Sequence, residues 1–165
     1  MEIQDQIDSK ITGELSFTVY DKDGNKVDEQ TEGNLVVNMS KPILAHLLSG
    51  DSTKFVTKLA IGTEIVAPAP DDETIGTITT TSLTPGNNVI GPDFKAYLKT
   101  LDGFTHPETG VVVFEWSLDY SEANGMEICE FGLLTDDHHM FARKTRGSIT
   151  KQADLAFEGT WKIIF

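Results

Sequence analysis

The sequence predicts a mainly β fold, an antiparallel β-sandwich of jelly-roll-like type with one short α-helix. Three observations carry that expectation. Apolar and polar residues alternate with a period of two through much of the chain, as they do in strands with one buried face. Clusters of Gly, Asn and Asp interrupt the alternation at short intervals, as turns do. Only one stretch places its apolar residues at helical spacing. Many short strands, turns between them and a single helix indicate an antiparallel sandwich or barrel.

Taken in order, Ile11 to Tyr20 is the first strand, with Leu15, Phe17 and Val19 on one face and Ser16 and Thr18 on the other. Asp21-Lys22-Asp23-Gly24-Asn25 supplies turn chemistry, and Lys26 to Thr31 returns as the hairpin partner. Asn34 to Asn38 reads as a further short strand. The helix follows: Asn38 or Ser40 can cap it, Pro42 suits its first turn, and Ile43, Leu44, Leu47 and Leu48 form an apolar face. Gly50 then ends it in the left-handed conformation that glycine tolerates. Strands resume at Phe55 to Ile61. Gly62 to Glu73, with Ala67-Pro68-Ala69-Pro70 and Asp71-Asp72-Glu73, is an extended acidic loop. Thr74 to Asn88 is weakly patterned and reads as loop with one strand at most, and Phe94 to Leu101 is a strand.

The C-terminal half is patterned most strongly. Val112, Phe114, Trp116 and Leu118 alternate against Val113, Glu115 and Ser117. Glu122-Ala123-Asn124-Gly125 is a tight turn, and Asn124-Gly125 is the kind of pair that closes a two-residue hairpin. Glu127 to Leu134 and His139 to Arg146 are strands joined by Asp136-Asp137-His138. Leu155, Phe157, Gly159, Trp161, Ile163 and Phe165 share the last apolar face, so the final strand is expected inside a sheet. The length of 165 residues suits one domain, residues 11–165, preceded by a polar segment, residues 1–10, that reads as a docking arm held by partners.

Charge narrows the function. Thirteen Lys and Arg stand against 26 Asp and Glu, a formal net charge of −13. A nucleic-acid partner calls for a basic face that displaces counterions from phosphates, and this balance opposes it. An anionic membrane surface is disfavoured for the same reason, and no apolar run approaches the roughly 18 residues of a membrane helix. Met1-Glu2-Ile3-Gln4-Asp5 has neither the basic nor the apolar character of a secretory leader, so folding in a cytoplasm is expected. Cys129, the one cysteine, sits in Ile128-Cys129-Glu130-Phe131 and reads as a buried structural thiol rather than a nucleophile.

Several segments, in order, resemble one family of proteins. They are Asn34-Leu35-Val36-Val37-Asn38 before the helix, Lys58-Leu59-Ala60-Ile61-Gly62-Thr63 before a Pro-containing loop, and Glu122 to Leu134. Phe141-Ala142-Arg143-Lys144 and Phe157-Glu158-Gly159-Thr160-Trp161-Lys162-Ile163-Ile164-Phe165 complete the series. The series resembles tailed-bacteriophage virion proteins: the virion-attached modules of tail-collar fibres, and small neck, baseplate or capsid-surface proteins. The resemblance implies a non-enzymatic structural subunit, most of all a collar or fibre-attachment protein of the neck or tail. The alternative is a decoration protein that cements the head shell. It implies a location in the virion after synthesis in the host cytoplasm, with further copies of itself and other virion proteins as partners. Two departures stand out. Asp136-Asp137-His138-His139 replaces the family's usual Asp-Gly turn, and no repetitive or receptor-binding extension follows Phe165.

The chemistry-bearing residues favour binding over catalysis. Asp21 to Asn25 contains part of a calcium loop, but Lys26 stands where the loop needs its glycine, although Glu32 could serve as the distal ligand; a hairpin turn is the better reading. His138 and His139 are adjacent, so on an extended strand they face opposite ways and do not share a metal ion. His46 and His106 lack the serine elbow and partners of a hydrolase. No cofactor or catalytic set is expected. A carbohydrate-binding module is a distant third reading, weakened because Trp116 and Trp161 fall on core-patterned faces. Arg143, Lys144 and Arg146, with Lys151 nearby, form the one concentrated basic segment. It is either a solvated strand edge or a dock for an acidic patch on a neighbouring subunit, for which Asp71, Asp72 and Glu73 are the candidates.

Overall fold

The computed structural model describes residues 10–73, 75, 88–90 and 95–165. The arm at residues 1–9, most of Thr74 to Asn88, and Phe94 lie outside the described residues. Alternation becomes strand wherever it was strongest: β1 (Thr12–Asp21), β2 (Lys26–Val36), β3 (Val56–Gly62), β7 (Val111–Leu118), β8 (Glu127–Thr135), β9 (Met140–Thr150) and β10 (Leu155–Ile164). Shorter strands β4 (Asn88–Ile90), β5 (Lys95–Thr100) and β6 (Gly103–Thr105) complete the set, and helix α1 (Ser40–Leu48) leads through a 3-10 turn at Ser52–Lys54 into β3. Every described strand pairing is antiparallel. Among the described residues no helix is long and apolar enough to cross a membrane.

The strands form one sheet of ten in the order β4-β5-β3-β8-β9-β2-β1-β10-β7-β6. The expected sandwich has two separate sheets; here the halves are hydrogen-bonded into a single curled sheet. The join is narrow, since β2 meets β9 only at Leu35↔Arg143 and Val36↔Ala142. The curl follows from distances. Strands lie about 4.8 Å apart, so a flat sheet would hold β8 and β7 roughly 24 Å from each other. Instead the rings of Phe131 on β8 and Trp116 on β7 have centroids 5.8 Å apart, and Phe131 is 5.7 Å from Phe17 on β1. The sheet therefore bends into a half-barrel whose two halves face each other. Register shifts at Ile128/Glu130 and Leu133/Leu134 mark where β8 bends against β9.

The core fills that fold. Leu15, Phe17, Val19, Trp116, Phe131, Phe157 and Trp161 are buried in one cluster, with the rings of Phe17 and Phe157 stacked 5.8 Å apart. Trp116 lies where a Gly159 side chain would be: a Cβ on Gly159 would sit 2.3 Å from the indole. Gly132 gives way similarly to the Ile75 side chain, whose Cγ2 would be 2.6 Å from a Cβ. Cys129 is buried, as expected of a structural thiol.

Three local expectations change. Asn34 to Val36 continues β2 rather than forming a strand of its own. Neither Ser40 nor Asn38 caps the helix; Met39 holds the cap position without a side-chain bond, because Asn38 donates instead to Asp71. The end of α1 is as expected, with Gly50 at φ +88°. Glu122 to Gly125 is no hairpin: β7 pairs with β6 and β10, while β8 pairs with β3 and β9, so the segment crosses between the two halves. Its positive φ angles fall on Ala123 and Gly125, and Asn124 instead ties the crossover down by donating to the Tyr120 carbonyl.

Candidate functional site

Of the predicted basic and acidic residues, Arg143 and Asp72 meet, and they do so inside one chain. Arg143, on β9 opposite Gly132 of β8, is 3% exposed and its guanidinium bonds two carboxylates. Its Nε donates to Glu130 Oε1 at 2.7 Å and its Nη1 to Asp72 Oδ2 at 2.6 Å. Burial alone would lower the guanidinium pKa, but the Asp72 and Glu130 carboxylates outweigh it and hold the pKa above its ordinary value. Asp72 also accepts from the Ala69 amide, and Asp71 accepts from Asn38. The acidic loop is thereby pinned onto the sheet, while Glu73 is exposed. Lys144 pairs with Glu32 at 2.7 Å, and the Arg146 guanidinium lies 5.1 Å above the Phe17 ring. Lys151 is fully buried, donating to Asn124 Oδ1 and the Gln152 carbonyl, with burial pushing its pKa down. Arg143 and Asp72 thus close a fold contact of their own chain rather than lying open to a neighbour, because the loop after β3 folds back over β9.

The other polar groups also close turns and crossovers. Asp21 Oδ1 accepts from the Asp23 and Asn25 amides at 2.9 and 2.8 Å, so its carboxylate serves the β1–β2 turn. Lys58 donates to both the carbonyl and the carboxylate of Asp136, and Lys54 and His139 pair with Asp137. Among the described residues no group of three or more His, Cys, Asp or Glu could hold a metal ion. Glu122 accepts from Tyr97, from Lys99 and from the Asp119 amide, tying β5 to the β7–β8 crossover. His46 pairs with Asp51, and His106 contacts the Val111 carbonyl through Nδ1.

What polar-residue reasoning missed is an apolar groove of about 860 Å³ at one end of the half-barrel. One wall comes from Leu44 and Leu47 of α1 with Phe55 and Val56 at the start of β3. The other comes from Phe104 of β6 and Val112 and Phe114 of β7. Ile163 and Phe165 close the end. Three aromatic side chains here remain open to solvent: Phe104 at 63%, Phe55 at 57% and Phe165 at 49%. Glu108 is the one formally charged residue in the lining, in a chain of net charge −13. An exposed apolar patch of this kind marks an interaction surface more often than a lone exposed residue does. Phe55, Phe104 and Phe165 are far apart in sequence, so only the fold assembles them.

Comparison with known proteins adds no relative: no family model, no curated protein and no solved structure matches the chain.

Proposed function

We propose that this chain is a non-enzymatic structural subunit of a tailed-phage virion, most of all a neck or tail protein of the collar or fibre-attachment kind, assembled through its apolar end groove. The observation that carries this reading is the groove itself: three open aromatic side chains gathered at one end of an otherwise acidic molecule. Fully burying a side chain such as Phe gains about 1.5–3 kcal/mol, so a partner that covers the half-exposed Phe55, Phe104 and Phe165 together gains a few kcal/mol toward the cost of association. The order of segments that resemble virion proteins supports the same reading, and the two facing halves of the sheet serve as a sandwich joined along one edge. Both tryptophans are buried, at 2% and 0% exposure, so neither is a stacking platform for a sugar. Polar groups that could suggest catalysis are engaged in turns and crossovers.

Immunogold labelling of particles from cells that carry the gene tests the proposal. Label at the neck or tail is expected. Label spread over the head makes the chain a decoration protein instead, and particles without label overturn the virion reading.

A further inference from the structure

We infer that the groove receives the N-terminal segment, residues 1–9, of a second copy of this chain. The inference rests on the groove being the assembly surface, as proposed above, but not on the kind of particle.

The sequence pattern supplies the first argument. Of the odd positions, Met1, Ile3 and Ile7 are apolar and Asp5 and Ser9 polar, while even positions Glu2, Gln4, Gln6, Asp8 and Lys10 are all polar. The odd series runs on into Ile11, Leu15, Phe17 and Val19, which pack in the core. The arm therefore carries the same strand-like face as β1, and this face needs cover.

Geometry supplies the second. Thr12 is the first residue of β1 and lies opposite Ile164, so the arm leaves the sheet beside Phe165, at the rim of the groove. On the other side, β2 is last in register with β1 at Asn34↔Gly13. Past this point β2 turns to β9, pairing through Leu35 and Val36, and β10 ends at Ile164. Extended in the direction of β1, residues 1–9 would run past the last paired residues of the sheet, and reaching the groove of the same chain would need a reversal. Nine extended residues span about 30 Å, ample to reach an adjoining molecule.

The receiving side is the third. Among the described residues β6 is the terminal strand of the sheet and pairs on one side only, with β7, through Gly103↔Glu115, Phe104↔Phe114 and Thr105↔Val113. Gly103 and Phe104 of this strand line the groove, so an incoming strand that takes its backbone hydrogen bonds from β6 would set side chains beside the groove, as peptides do when they add to a sheet edge. Such a contact is head-to-tail and closes into a ring when the rotation allows.

The test uses the full chain. Sedimentation of wild type, of a form beginning at Lys10, and of Phe104→Asp should show self-association in the first and its loss in both others. A disulfide test fixes the partner: Ile3→Cys combined with Phe104→Cys should yield covalent dimers and higher species on oxidation, with native Cys129 buried. A bond formed only within one chain, or none, overturns the inference. Self-association that survives removal of residues 1–9 but not Phe104→Asp also overturns it, while leaving the groove as the assembly surface. Association that survives both changes removes the arm and the groove reading together.

Discussion

At the scale of single residues, the molecule depends on charges that its own chain neutralises. Glu130 is 0% exposed and meets Arg143, so removing the guanidinium leaves a carboxylate in the core. Arg143→Met is expected to cost about 3–5 kcal/mol in urea unfolding, and adding Glu130→Leu should restore most of it, since breaking a buried pair is worse than replacing it whole. A loss no larger in the single than in the double variant would contradict this. Gly159→Ala tests packing instead: its Cβ meets the Trp116 indole, and overpacking of this kind costs about 1–3 kcal/mol. The loss should come with a shifted tryptophan fluorescence. For acid behaviour, Asp136 is held below the usual carboxylate range chiefly by Lys58. Asp137 is held lower against the cost of burial, by Lys54, Thr135 and His139. Both pKa values are depressed by folding, so their contribution is whole above the unfolded value of about 3.9 and fades as pH falls below it. Melting temperature should stay nearly level down to about pH 5 and then drop. Asp137→Asn should be less stable at neutral pH and show a shallower drop; an equally steep one would contradict the assignment.

Among elements, long strands with one buried face were legible because alternation is a direct image of burial. β1, β7 and β10 show this, each setting Leu15, Trp116 or Trp161 inward. β6 was not legible, since three residues carry too little pattern, and its pairing with β7 depends on a fold that sequence spacing does not display. The Glu122 to Gly125 segment misled for a related reason. Its turn chemistry is real, but whether a turn returns to the same strand or crosses to the other half is decided by partners distant in sequence. The helix was legible as an element and not in its detail. Ile43 is buried while Leu48, the last helical residue, is 92% exposed. Ile43→Ala should therefore cost about 2–4 kcal/mol, as core truncations do, whereas Leu48→Lys should leave thermal stability unchanged within about 0.5 kcal/mol.

For the whole molecule, the net charge of −13 was plain from composition, and so was a fold rich in β-strands. The candidate site was not. Attention to charged motifs found Arg143 and Asp72, which the curl of the sheet brings together within the chain. The groove is made of ordinary apolar residues from α1, β3, β6, β7 and β10, and becomes a site only when the sheet bends. The role proposed for this groove is attachment of the chain to a virion. Quantitative mass spectrometry of gradient-purified particles, made with wild-type chain or with Phe104→Asp, tests it most directly. Wild-type chain at a fixed copy number per particle, and loss of the variant despite an unchanged melting temperature, is the predicted result. Particles that lack the wild-type chain, or carry the folded variant in equal number, would contradict the claim.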